Sequence, residues 1–173
     1  MKITHPLRLL VCTFIFMLVT ISPPSQAGLI TFTANIDGSQ ANAGTGTGSL
    51  GTGVANILFD DLSNQFSWDI SWSGLTGNVT AAHFHGPALL NQNAGVQVAI
   101  STLSNPTSGS DTINTAQAAD LLAGLWYINI HTDTSPGGEI RGQVQVASVP
   151  EPGTLSLLLL SMIGVFYSRS KIL

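Results

Sequence analysis

Apolar and polar residues alternate along most of the central part of the chain. Between Leu29 and Ile36 every second side chain is apolar, and between Gln65 and Ser73 apolar residues, three of them tryptophan or phenylalanine, recur in the same way. A period of two is typical of strands that bury one face. With other segments of strand composition, this pattern predicts strands at residues 29–36, 54–59, 65–73, 78–85, 96–103, 125–131 and 139–147.

One short helix is predicted from Thr115 to Ala123, a segment rich in Ala and Leu, where Thr115 can cap the first turn and Gly124 can end the last. The glycine-rich residues 37–52 and the polar residues 104–110 are predicted loops. About seven short strands with one helix favour an all-β fold. We predict an antiparallel Greek-key β-sandwich of the immunoglobulin or superoxide-dismutase type.

The two ends of the chain differ from its centre. Residues 1–27 combine Lys2 and Arg8, an apolar run and the small-x-small triplet that ends at Ala27, the pattern of a cleaved signal peptide. Residues 149–173 contain an almost wholly apolar run from Leu155 to Tyr167 followed by basic residues. This run is either a marginal membrane anchor or a helix packed on the sandwich, and its uniform apolarity favours the anchor. We therefore predict an apolar helix at each end and a domain at residues 28–148.

Charged side chains are scarce, at 8% of the chain, and the formal net charge is −4. Arg141 is the only Lys or Arg between Gly28 and Val149. Such a domain has no basic patch for nucleic acid or anionic lipid, so neither partner is expected. The single cysteine, Cys12, lies in the leader, which leaves the predicted domain without a disulfide or a cysteine metal ligand.

Three histidines are the candidates for chemistry. His83 and His85 are two residues apart at the end of a predicted strand, which puts both rings on one face, while Phe84 points into the core. His131 ends a later predicted strand. If these strands are neighbours, the three imidazoles can bind copper or zinc and leave a fourth position open. Alternatively, neutral rings cap the strand ends through hydrogen bonds to the backbone, Asn129 or Glu139.

Asn129, Glu139 and Arg141 are the candidate binding residues beside these histidines. Glu139 and Arg141 alternate along one face of the last predicted strand. Arg141 has either a structural role as the partner of a carboxylate such as Asp69, Asp133 or Glu139, or a role as an anion contact. No pair of acids or activated serine indicates a hydrolase.

These motifs resemble those of the CHRD domain, a family first described in the animal protein chordin and widespread in bacterial secreted proteins. The resemblance lies in His83-Phe84-His85-Gly86-Pro87-Ala88, in the strand with Trp126, Asn129 and His131, and in the segment from Gly138 to Gln143. It implies an exported binding or structural module and no particular reaction.

The histidine pattern also resembles, more distantly, that of copper-zinc superoxide dismutase. That β-sandwich uses a His-x-His pair and a later histidine for copper, and a glycine-rich turn that leads to an arginine. The matching positions here are His83, His85, His131 and Arg141. The predicted mature domain lacks a further histidine to bridge a second metal, a zinc-site loop and a cysteine pair, so the resemblance does not extend to dismutation.

The C-terminal segment resembles the PEP-CTERM sorting signal of Gram-negative bacteria: the triplet Pro150-Glu151-Pro152, an apolar helix and a basic tail. The resemblance implies recognition by an exosortase, transient insertion in the inner membrane, and release or transfer to the cell surface or the extracellular matrix. Exopolysaccharide or surface proteins are then the expected partners. The leading hypothesis is a non-enzymatic, matrix-associated module, and the alternative is a mononuclear copper or zinc protein with weak redox or sequestering activity.

Overall fold

The computed structural model describes residues 28–147. Within this range the chain forms nine strands, one α-helix and a short 3-10 turn at Asn42–Gly44. In chain order the elements are β1 (Leu29–Asp37), β2 (Thr52–Asp60), β3 (Gln65–Ser73), β4 (Val79–His85), β5 (Val96–Ala99), β6 (Thr107–Thr112), α1 (Thr115–Leu122), β7 (Tyr127–Thr132), β8 (Ile140–Gln143) and β9 (Gln145–Val146).

All pairings between these strands are antiparallel, and the strands form one continuous sheet in the order β5-β4-β7-β8-β1-β2-β3-β6, with β9 beside β1. The prediction of an all-β antiparallel fold with one short helix is confirmed. The two separate sheets of a Greek-key sandwich are not clearly formed, because Asp37 of β1 pairs with Arg141 of β8 and so joins the two halves. The sheet instead curls into a nearly closed barrel.

The inner face of this barrel holds a single core. At its centre the ring of Phe66 lies 4.9 Å from that of Phe84 and 5.3 Å from that of Trp126, and all three side chains are fully buried. Edge-to-face aromatic pairs of this kind contribute about 0.5–1.5 kcal/mol beyond their burial. The core therefore fixes Phe84, and with it the two histidines that flank Phe84 on the opposite face of β4.

The structure corrects three details of the predicted elements. Residues 107–112 form the edge strand β6, although residues 104–110 are a predicted loop. The helix is capped by Asn114, which accepts a 3.0 Å hydrogen bond from the Gln117 backbone, so Thr115 is its first residue and not its cap. The last predicted strand is two strands, interrupted at Val144, whose N–H donates to the Trp126 carbonyl outside the regular ladder.

Several predictions fall on residues 1–27 and 148–173, outside the described range. These are the signal peptide, the two terminal apolar helices and the sorting signal at Pro150, Glu151 and Pro152. Among residues 28–147, no helix has the length and apolarity needed to cross a bilayer.

Candidate metal centre

The pairing of β4 with β7 brings the three histidines to one face of the sheet. Directly opposed residues of antiparallel strands share a face, and His83 is opposite Asn129 while Ala81 is opposite His131. His85 lies two residues beyond His83 and shares its face. The structure thus places His83, His85 and His131 together on the outer surface of the barrel, above the buried Phe84.

The geometry of the cluster is compact. One ring nitrogen from each histidine lies within 4.8 Å of the others. Nδ1 of His83 is 3.3 Å from Nε2 of His131, and the ring centres are 5.1 to 5.9 Å apart. His83 and His131 are partly exposed, and His85 is buried. The centre is therefore reached from solvent on the side of His83 and His131.

Two backbone carbonyls determine which ring nitrogen carries the proton in neutral His85 and His131. Nδ1 of His85 lies 3.0 Å from the Ala94 oxygen, and Nδ1 of His131 lies 2.9 Å from the Pro136 oxygen. A carbonyl only accepts, so each Nδ1 must be the donor, and in a neutral ring Nε2 then carries the lone pair. The lone pair of His131 faces Nδ1 of His83 at 3.3 Å. Carbonyl contacts of this type commonly orient metal-binding histidines.

The buried Nε2 of His85 has no hydrogen-bond partner among residues 28–147. Leaving a buried polar atom unpaired costs about 1–3 kcal/mol. A metal ion bound between the three rings would satisfy this atom. The cluster contains only neutral nitrogen donors, which suit copper or zinc better than calcium or magnesium.

Electrostatics also favour the neutral forms of His83 and His85. Burial lowers the pKa of His83, and repulsion from His131 lowers it further. Burial is also the main cause that lowers the pKa of His85; the hydrogen bond to Ala94 opposes it, whereas His83, His131 and Arg141 add to it. Because a metal ion binds the neutral imidazole, both shifts favour metal over proton.

Arg141 has a different environment from the one predicted. Its guanidinium donates to Oδ1 of Asn93 and to the Leu89 carbonyl, both at 3.2 Å, and its central carbon lies 3.4 Å from the centre of the Tyr127 ring. The side chain is only 2% exposed. Among residues 28–147, Arg141 therefore pairs with an amide, a carbonyl and a π face instead of the expected carboxylate, and its burial leaves little surface for an anion.

Glu139 makes no hydrogen bond to a histidine within residues 28–147. It is fully buried and accepts hydrogen bonds from Ser49 Oγ, the Thr76 N–H and Thr132 Oγ1. Burial alone would raise the pKa of Glu139, but these donors outweigh it and lower the pKa to about 2. Glu139 is an ionised structural carboxylate in this arrangement.

Asn129 lies between His83 on β4 and Arg141 on β8, its direct neighbours across the sheet. Its amide nitrogen donates to the Gly137 carbonyl at 3.1 Å, and its side chain packs on Gly138, where a Cβ atom would overlap it. The Oδ1 atom is buried and has no partner within the described part of the chain. Asn129 thus fixes the turn that carries Pro136, the residue that orients His131.

Sequence reasoning missed two parts of the site. Tyr127 stacks on His85 with ring centres 5.0 Å apart and planes 7° from parallel, and its position two residues before Asn129 on a strand could have indicated a shared face. The carbonyls of Ala94 and Pro136 carry no side-chain signal, so only the fold reveals them.

The sequence profile of the CHRD domain matches residues 32–144, more than half of the 173-residue chain. This range includes the whole cluster and its hydrogen-bond partners. The chain belongs to the CHRD domain family. No curated protein and no solved structure matches it.

Proposed function

We propose that this protein is an exported CHRD module that binds one copper or zinc ion through His83, His85 and His131. Family membership suggests a secreted binding module. The observation that carries the metal assignment is the convergence of three ring nitrogens within 4.8 Å, together with the unpartnered, buried Nε2 of His85.

The charge of the domain supports cation capture. Residues 28–147 contain eight carboxylates and one arginine. A surplus of negative charge raises the local concentration of cations and lowers that of anions. Because the arginine is buried against Asn93, Leu89 and Tyr127, it is not available to attract an anionic substrate. These features favour metal sequestration over dismutation, and we propose no enzymatic activity.

Export and sorting belong to the same proposal. Cleavage after Ala27 and exosortase processing near Pro150-Glu151-Pro152 would deliver the domain from a transient inner-membrane anchor to the cell surface or the extracellular space. Intact-mass measurement of the exported protein should find neither residues 1–27 nor the apolar segment 155–167. A secreted form that retains either segment contradicts this processing.

The metal assignment is tested by elemental analysis and competition titration of the exported protein. We expect about one copper or zinc ion per chain. In His85→Ala, loss of one of three ligands should weaken binding at least tenfold. Asn91→Ala, on an exposed loop residue, is the control and should bind as the wild type does. A folded wild type without stoichiometric copper or zinc would disprove the metal centre.

A metal-independent binding role is the second candidate, favoured by a groove on the outer face of β1, β2, β3 and β6. The groove encloses about 540 Å³ and presents hydroxyl, amide and carboxylate groups from Thr31, Asn56, Ser67, Asp69, Ser108 and Ser110. Such groups hydrogen-bond sugar hydroxyls, so exopolysaccharide is the ligand to test. On a column of neutral polysaccharide, His85→Ala should be retained as the wild type is, whereas Asn56→Ala should no longer be retained. This pair of results would support the role.

A further inference from the structure

The connection between β4 and β5, residues 86–95, lies across the outer face of β7 and β8, and we call it the strap. Three of its polar contacts are with side chains of β8. Gln143 Nε2 donates to the Ala88 carbonyl at 2.9 Å, and Arg141 donates to the Leu89 carbonyl and to Asn93 Oδ1. The strap is therefore attached to the strand that carries Arg141 and Gln143.

Arg141 and the strap depend on one another. A buried cation without a carboxylate is costly unless other acceptors replace the water it has lost. Here the replacements are two strap oxygens and the face of Tyr127. If the strap moved away, Arg141 would lose both oxygens, so this charge holds the strap in place.

The far end of the strap orients the candidate metal ligand His85. The Ala94 carbonyl accepts from His85 Nδ1 at 3.0 Å, and the Ala94 N–H donates to the Tyr127 hydroxyl at 3.2 Å. Tyr127 in turn stacks on the His85 ring. The position of Ala94 therefore decides which nitrogen of His85 carries the proton and where the other one points.

We infer that Arg141 and Asn93 are positioning residues of the metal centre, which hold the strap so that Ala94 keeps His85 as the Nδ1–H tautomer with Nε2 free for the metal. This inference rests on the proposed metal function. Arg141 contacts the strap and Tyr127, and Asn93, itself a strap residue, contacts Arg141.

The test compares Asn93→Ala with Asn91→Ala, an exposed residue of the same strap, and Arg141→Met with Arg141→Lys. Copper affinity is measured by competition, the copper environment by electron paramagnetic resonance, and the His85 tautomer in the metal-free protein by ¹⁵N NMR. We expect Asn91→Ala to match the wild type and Asn93→Ala to bind about 3- to 10-fold more weakly. Arg141→Met should lose about 10- to 100-fold, the range for residues that orient metal ligands, with a changed copper spectrum. Arg141→Lys should recover part of the loss.

The paired variants, Asn93→Ala with Asn91→Ala and Arg141→Met with Arg141→Lys, keep the outcomes distinct. Unchanged His85 nitrogen shifts and copper affinity in Asn93→Ala overturn the role of the strap, and this solvent-exposed substitution remains decisive even if Arg141→Met does not fold. Equal losses in Asn93→Ala and Asn91→Ala also overturn it. A folded wild type that binds no copper or zinc overturns the proposed function instead, and the NMR comparison then reports on the strap independently of metal.

Discussion

The hydroxyl of Ser49 donates a 2.6 Å hydrogen bond to the carboxylate of Glu139, 90 residues later in the chain. The same carboxylate accepts from the N–H of Thr76 and the hydroxyl of Thr132. These donors come from the glycine-rich loop after β1, the turn before β4 and the end of β7. One buried charge therefore joins two connecting segments and the end of a strand.

Replacing Glu139 with glutamine should destabilise the protein in a pH-dependent way. The folded-state pKa of about 2 is below the ordinary value of 4.5, so the ionised carboxylate stabilises the fold fully above about pH 4.5, and this contribution is lost as the pH falls towards 2. We expect Glu139→Gln to cost about 1–3 kcal/mol near neutral pH, and less at pH 3. Urea unfolding at both pH values measures the difference.

Asp61→Asn is the matched control for Glu139→Gln, since Asp61 is an exposed turn carboxylate. Its effect should stay within about 0.5 kcal/mol at both pH values. If the cost of Glu139→Gln were the same at pH 3 and pH 7, the hydrogen bonds would not depend on the carboxylate charge.

Alternation predicted the strands that have one buried and one exposed face. The segment from Gln65 to Ser73 is a strand with the predicted bounds because its apolar residues fill the core and its polar residues face solvent. The edge strand Thr107–Thr112 escaped prediction because it contains no large apolar side chain and forms by pairing with β3. The closure of the sheet also depends on pairing, of β8 with β1, between segments about 100 residues apart.

The difference between pattern within one strand and pairing between distant strands also explains what could be predicted of the candidate site. The shared face of His83 and His85 follows from spacing within one strand. Their approach to His131 requires β4 to pair with β7 in a particular register, which local sequence does not specify. The orientation of the rings depends on backbone carbonyls, so it could only come from the fold.

Asn114→Ala should weaken the start of α1. The Asn114 side chain accepts from the Gln117 N–H, and the Gln117 side chain accepts from the Asn114 N–H at 2.9 Å, which together form a capping box. Loss of such a cap costs about 0.5–2 kcal/mol, whereas Thr115→Ala, one residue inside the helix, should change the unfolding free energy by less than about 0.5 kcal/mol. A larger loss for Thr115→Ala in thermal or urea unfolding would reassign the cap.

Gly138→Ala should disturb both the turn before β8 and the candidate metal centre. Gly138 has a φ of 116°, a conformation that side chains rarely adopt, and an added Cβ would overlap the Asn129 side chain. We expect the free energy of unfolding, measured in urea, to fall by about 1–3 kcal/mol. Zinc binding should also weaken, because the same turn supplies the Pro136 carbonyl to His131.

Gly137→Ala is the control, since an added Cβ there meets no atom within 4 Å. Equal effects at 137 and 138 would contradict this explanation.

Metal binding should appear as stabilisation of the folded state. The three ring nitrogens converge only when β4 and β7 are paired, so a metal ion bound by them favours folded over unfolded chains. At a free zinc concentration 100 times Kd, the gain in unfolding free energy is about 2.7 kcal/mol. Urea unfolding with zinc and with a chelator measures this gain. His85→Ala should show about half of it or less at the same zinc concentration, because binding at least tenfold weaker lowers the ratio of free zinc to Kd. An equal gain in wild type and His85→Ala would mean that zinc binds elsewhere, since His85 supplies the one cluster nitrogen that is buried and otherwise unpaired.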